Sequence, residues 1–188
     1  MHTPIPPVVA HGAMRDTEQP DLRTGELVLR PWQAGDVAVV REAFTDPAIQ
    51  LWNLEGALGE DQAARLIAVW QARWRLETGA SWAVTDGRAV LGRVALRTID
   101  LALGLGEVAY WTLPAARGRG VTVRAVTELA RWAFDDLGLH RLELRHSMAN
   151  PASCRVAVRT GFTAEGVLRS SLRHADGWHD MHIHGLVR

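Results

Sequence analysis

Apolar positions change period several times along this chain, and each change marks an element. Glu26–Trp32 (ELVLRPW) reads as a first strand stopped by Pro31. Asp36, a good N-cap residue, opens a helix through Phe44, and Asp46-Pro47 ends it. Residues 53–59 read as a loop. Glu60–Glu77 is a long helix carrying Leu66, Ile67, Trp70 and Trp74 on one side, with Gly79 as its C-terminal stop. Two strands, Ser81–Thr85 and Val90–Thr98, flank Asp86-Gly87-Arg88, a strong hairpin signal. Glu107–Leu113 is a buried strand broken by Pro114. After Arg117-Gly118-Arg119-Gly120 the period becomes helical from Val121 to Leu137, with Val123, Val126, Ala130, Ala133, Phe134 and Leu137 in phase. Arg141–His146 alternates as a strand. Asn150-Pro151-Ala152-Ser153 opens a short helix ending at Gly161-Phe162, and strands Thr163–Arg173 and Trp178–Val187 flank Ala175-Asp176-Gly177. Residues 1–21 are proline-rich and aperiodic, which predicts a mobile tail before one domain over 22–188. Strands alternating with helices predict a mixed α/β sheet.

Composition narrows the function classes. At 188 residues with 47% hydrophobic content, one domain with a sizeable core is expected. The formal net charge is zero, so nothing electrostatic argues for nucleic acid as the main partner. All 21 basic residues are arginine. The single cysteine, Cys154, excludes an internal disulfide framework and fits a reducing interior. No apolar run reaches the roughly 18 residues of a membrane span. A cytoplasmic location without membrane partners is expected.

The basic glycine loop before Val121 carries the first chemical signal. The leading N–H groups of a helix lack partners within it, and the helix dipole adds partial positive charge there. Glycines admit close approach of a phosphate, and arginines add charged donors. One helix end contributes only about 0.3–1 kcal/mol per anionic group, so several amides must converge, which suits a pyrophosphate. A tight turn that uses its glycines only for backbone geometry is the competing reading. Neither GxGxxG nor GxxxxGK[ST] occurs.

Arg117-Gly118-Arg119-Gly120-Val121-Thr122, together with Asn150-Pro151-Ala152-Ser153 ahead of Gly161-Phe162, resembles the GNAT superfamily of acyl-CoA-dependent N-acyltransferases. The strand GEVAYWTLP and the closing DGWHDMHIHGLV are similar to the branch that acetylates N-termini of ribosomal proteins. The resemblance spans about Glu26 to Arg188. It implies a single-domain GNAT-like fold, a mixed, largely antiparallel sheet flanked by helices, with acetyl-CoA as acyl donor and an amine as acceptor. Two departures stand out. Thr122 replaces a usual Gly or Ala, and Ala157 occupies the position where many members carry a proton-donating tyrosine; Tyr110 is the chain's sole tyrosine.

The resemblance also distributes roles. Arg117, Gly118, Arg119, Gly120, Val121, Thr122 and Val123 would hold the pyrophosphate. Backbone groups of Ala109, Trp111, Thr112 and Leu113 would pair with the pantetheine arm and polarise the thioester. Asn150 would hold the pantetheine, or simply cap a helix. Ser153 would stabilise the leaving thiolate, with capping as its competitor. Glu107 is the first candidate for a base acting through water, against a solvent-facing carboxylate; Glu143 is weaker. Trp32, Trp52, Trp74 and Trp178 are candidates to line the acceptor cleft, against core packing for each. His179, His182 and His184 lack a tight metal spacing, so no metal is expected and exposed or substrate-facing histidines are. Cys154 reads as a small packed residue. A peptide or protein N-terminus is the preferred acceptor. A small amine such as an amino-sugar antibiotic or polyamine, or a non-catalytic acyl-CoA-binding domain, is the alternative. A homodimer is compatible with the sequence, and the oligomeric state stays open.

Overall fold

The computed structural model describes residues 5–188. Five helices pack on an eight-stranded sheet: β1 (Leu22–Thr24), β2 (Leu27–Pro31), α1 (Val37–Ala43), α2 (Pro47–Asn53), α3 (Glu60–Arg75), β3 (Ala80–Thr85), β4 (Val90–Asp100), β5 (Leu105–Thr112), α4 (Val121–Arg131), β6 (Arg141–Ser147), α5 (Pro151–Arg159), β7 (Thr163–His174) and β8 (Gly177–Val187). The strand order is β1-β2-β3-β4-β5-β6-β8-β7. Every neighbouring pair is antiparallel except β5 and β6.

That parallel pair places the site. Its register runs from Leu105–Arg141 to Val108–Leu144 and stops. Beyond it β5 continues to Thr112 on the β4 side, and β6 continues to Ser147 on the β8 side. The two strands therefore part in the middle of the sheet.

Alternation along the strands sends side chains to two cores. On the α4 and α5 face, Trp82, Val94, Leu96 and Val108 meet Val126, Leu129 and Ala157. On the opposite face, Ala83 and Trp111 meet Trp32, Phe44, Ile67 and Trp70. Burial of each large side chain contributes about 1.5–3 kcal/mol.

Several expected boundaries shift for local reasons. Asp46-Pro47 does not only end a helix. Asp46 caps α2 by accepting from the Ile49 amide at 2.9 Å, with Pro47 in the first turn. Asp36 does not cap α1 through its side chain; it binds Arg30 instead. The α4 helix stops at Arg131 and passes into a π-helical turn, Trp132–Asp136, which seats Trp132 against Trp74 and Trp82.

The stretch expected as a mobile tail is docked from Val8 to Thr17; Met1–Pro4 lie outside the described residues. Val8 and Val9 amides bond the Ala102 and Leu101 carbonyls, and Met14 is fully buried. Glu77, not Gly79, takes the left-handed position after α3, at φ 57°. A non-glycine residue is costly there, and its carboxylate compensates by accepting from the amides of Gly12, Met14 and Arg15. Burial pushes the Glu77 pKa up, but these amides outweigh it and hold the group below its usual value.

Glu77→Gln should therefore loosen residues 8–17 and cost about 1–3 kcal/mol, read by chemical denaturation and by faster amide exchange at Gly12 and Met14. Because the folded pKa is lowered, the contribution is present above the ordinary carboxylate value and fades as pH falls through the folded one. The same amides in the wild-type chain should thus keep their protection through the ordinary carboxylate range and lose it only at more acid pH. Unchanged exchange in the variant would contradict the role given to Glu77.

Candidate active site

Two clefts open on either side of the gap between β5 and β6. The larger, about 510 Å³, runs from the start of α4 past Trp111 and Thr112 to α5. The smaller, about 230 Å³, lies against the face bearing Arg93, Arg97 and Trp70. Trp52, Asn53, Tyr110, Asn150 and Ser153 line both, so the clefts meet at these residues.

The larger cleft has the makings of an anion cradle. Gly118 and Gly120 hold φ of 75° and 71°, and no atom lies within 4 Å of where a Cβ on either would stand. Gly120 delivers the chain into α4, whose first-turn residues Val121, Thr122 and Val123 line the cleft, and leading helix amides are free donors. The Thr122 hydroxyl is tied back to Thr112 Oγ1 at 2.6 Å, which holds its side chain against the strand. Arg117 lines the cleft while bonding Asp46 at 2.7 Å and the Thr112 carbonyl. The Arg117 guanidinium, first among several causes, holds the Asp46 carboxyl below its usual range. Arg155 and Arg159 add positive charge from α5. Arg119 and Leu113 do not line the cleft, and the Leu113 amide is committed to the Leu91 carbonyl at 2.9 Å.

At the junction, Asn150 accepts from the Ser153 amide through Oδ1 and so caps α5. Its Nδ2 makes no hydrogen bond among the described residues, and Asn150 lines both clefts. The Tyr110 hydroxyl is buried without a hydrogen-bond partner among the described residues. Burial pushes its pKa up to about 12, against a downward pull from adjacent Ser153 and with a further push from Cys154. A phenol and a serine hydroxyl thus stand together where the two clefts join.

The smaller cleft is cationic. Arg93, Arg97 and Arg145 line it, against one acidic lining residue, Glu55. Arg97 pairs with Glu107 at 2.7 Å and Arg145 with Glu143 at 2.6 Å. Arg93 stacks over Trp70 at 4.5 Å and donates from Nε to Ser81 Oγ at 2.7 Å. It has no carboxylate partner among the described residues, and burial, then the charges of Arg73 and Arg97, draw its pKa down to about 9. His174 also lines this cleft. Its Nδ1 sits 2.9 Å from the Leu51 carbonyl, which assigns the proton to Nδ1 and leaves a buried Nε2 without a partner among the described residues.

Several expected site residues sit elsewhere. Glu107 lines neither cleft and Glu143 is held by two arginines, so neither carboxylate is presented as a free base. Ala109 lies on the smaller cleft rather than the larger. Trp32 is packed on Trp70 and Trp111, Trp74 on Trp82 and Trp132, and Trp178 is exposed; of the four tryptophans only Trp52 lines a cleft. His184 is 1% exposed, not the exposed histidine the strand pattern suggested.

Comparison with known proteins decides the family. The model of the acetyltransferase (GNAT) domain matches residues 26–163, more than half of the chain. The chain belongs to the GNAT acetyltransferase family. It is 24% identical over 172 residues to the uncharacterized N-acetyltransferase YoaA of Bacillus subtilis, covering 90% of this chain and 97% of that protein. It is 24% identical over 98 residues to a ribosomal-protein-serine acetyltransferase of Escherichia coli, about half of each chain (52% and 55%). RimL, a ribosomal alpha-N-protein acetyltransferase solved with coenzyme A, superposes with a TM-score of 0.83 at 14% identity over 89% of this chain and 98% of its own. The protein is thus an acyl-CoA-dependent N-acetyltransferase, and the parted strands are those of a GNAT fold.

Tyr110, His174 and Arg93 were not singled out for roles from sequence. Strict alternation on β5 places Tyr110 on the face of Val108, toward α5, and could have found it. Nothing local signals His174 or Arg93, whose surroundings come from α2 and α3. Gly120→Ala should weaken coenzyme A binding about tenfold. The new Cβ has room, but left-handed φ costs about 1–2 kcal/mol outside glycine. Titration calorimetry checks this; unchanged affinity would show that the α4 amides do not hold the cosubstrate.

Proposed function

We propose that this GNAT enzyme acetylates the α-amine of a peptide or protein N-terminus that carries negative charge close to the amine. The supporting observation is the cleft lined by Arg93, Arg97 and Arg145, in which Arg93 has no carboxylate partner among the described residues. Polyamines and amino-sugar antibiotics are polycations, and like charges in a partly buried cleft disfavour them. A peptide with an acidic side chain near its N-terminus meets the arginines favourably.

In this reading the amides of Val121, Thr122 and Val123 hold the pyrophosphate of acetyl-CoA in the larger cleft, and the Asn150 Nδ2 and the free edge of β5 hold the pantetheine. The amine enters through the smaller cleft and attacks the thioester carbon. His174 Nε2 takes the proton from the incoming ammonium. When the tetrahedral intermediate collapses, the oxyanion pair re-forms the carbonyl, and the C–S bond pair leaves with sulfur while the Tyr110 and Ser153 hydroxyls donate hydrogen bonds to it. The second proton of the attacking nitrogen passes to the departing thiolate, giving coenzyme A as the free thiol. Phenol at about 12 and serine are weaker acids than a thiol near 8.5, so both stabilise the thiolate rather than fully protonate it. Glu107 positions Arg97.

Thiol release from acetyl-CoA, measured across acceptors, tests this. Peptides with Asp or Glu at the second position should exceed matched Arg peptides in kcat/KM by about tenfold or more, and Arg93→Gln should flatten that preference. Spermidine or an amino-sugar exceeding every peptide would overturn the reading. His174→Gln should lower kcat about 10²–10⁴-fold. The loss should shrink as pH rises past about 8, where an α-amine is already neutral. A pH-independent loss would assign His174 to packing.

A further inference from the structure

We infer that His146, His182, His184 and Cys154 form a structural zinc site beneath the first turn of α5. One donor atom from each lies within 4.8 Å of the others. The set is assembled from three elements: His146 from β6, His182 and His184 from β8, and Cys154 from α5. Linear spacing therefore carries no metal signature, and the expectation of no metal rested on that spacing alone.

The protonation pattern inside the cluster is hard to satisfy without a cation. His146 Nδ1 lies 2.8 Å from the Ser147 carbonyl, which assigns the ring proton to Nδ1 and leaves Nε2 as a bare lone pair. That lone pair faces His184 Nε2 at 3.1 Å. If His184 carries its proton on Nε2, its Nδ1 becomes a buried acceptor with no partner among the described residues. If the proton sits on Nδ1, two bare lone pairs oppose each other in the interior. Either arrangement leaves a buried nitrogen uncompensated, which is costly. A metal ion between the two Nε2 atoms takes up both lone pairs, with the His184 proton on Nδ1 toward the Phe162 backbone, and the Ser147 carbonyl then acts as the outer partner that orients His146. His146 and His184 are 6% and 1% exposed, and burial, the first cause for each, holds both below the ordinary imidazole pKa, so both enter as neutral ligands.

Three imidazoles and one thiolate match the preferences of zinc. Zn–N near 2.0–2.1 Å and Zn–S near 2.3 Å put tetrahedral donors about 3.3–3.7 Å apart. The buried pair is already close to that at 3.1 Å, and half-buried His182 and Cys154 have room to close the remainder. On binding, the Cys154 thiol releases its proton to solvent and the imidazoles bind through lone pairs, leaving a site of net single positive charge. Four protein ligands leave no position for substrate, so the role is structural. Cys154 follows Ser153, and the ion would pin the start of α5, with Asn150 and Ser153, to β6 and β8.

Metal analysis of the tag-free full chain tests this. Expressed with zinc and dialysed, it should retain one equivalent, and a chelator should remove that zinc and lower Tm. Cobalt(II) added to the apo chain should give tetrahedral d–d absorption with a thiolate-to-cobalt charge-transfer band. Cys154→Ser should abolish that band, and His182→Ala should lower zinc affinity at least tenfold. Both side chains are half-buried, so both variants should fold, which circular dichroism checks. Less than 0.1 equivalent of retained zinc with no cobalt charge-transfer band would overturn the inference. So would one equivalent bound equally by wild type, Cys154→Ser and His182→Ala.

Discussion

The molecule depends on the parting of β5 from β6. Their parallel register ends at Val108–Leu144, and each strand then follows its other neighbour. Backbone groups on the inner edge of β5 beyond that point have no strand to pair with, and unpaired edge groups seek a partner. In the function proposed above the pantetheine arm meets that need. The same gap lets two clefts touch, and in that function a cosubstrate in one and an amine in the other approach one point. Tyr110 and Ser153 stand at that point.

Charge is sorted around this gap by unequal pairing. On the cosubstrate side, Arg117 is held by Asp46, which also caps α2, so one carboxylate fixes both a helix and the loop that leads into α4. On the acceptor side, Glu107 and Glu143 neutralise Arg97 and Arg145 but leave Arg93 to Trp70 and Ser81. An arginine that costs desolvation without a carboxylate in return is a liability for folding alone. A ligand anion is the compensation that the acceptor reading supplies.

The fold was largely legible because its long elements carry clean periods. The hairpin at Asp86-Gly87, α3, β5 and the loop before Val121 all sit where their residues place them. Misses came where one signal has two meanings. Asp46-Pro47 is both a stop and an N-cap with proline in the first turn. Residues 8–17 lack periodicity yet are tied down by contacts distant in sequence, the Glu77 carboxylate and the Leu101 and Ala102 carbonyls. At the site, the glycine loop and Asn150–Ser153 are contiguous segments that a reading along the chain can single out, and the structure brings both to the clefts. The tryptophans were not, because residue type does not say which face of the sheet a ring packs on. Trp32 and Trp74 serve the cores. His146, His184 and His174 take their character from partners on other elements, which no window along the chain contains.

The most direct measurement is a crystal structure with a bisubstrate in which coenzyme A is joined through an acetyl bridge to the amine of an acidic N-terminal peptide. The pyrophosphate should lie on the amides of Val121, Thr122 and Val123. The sulfur should lie within hydrogen-bonding reach of Tyr110 and Ser153, and the peptide should enter past His174 with its acidic side chain on Arg93. A pyrophosphate bound away from the start of α4, or a peptide chain that avoids the Arg93 cleft, would contradict the two-cleft account.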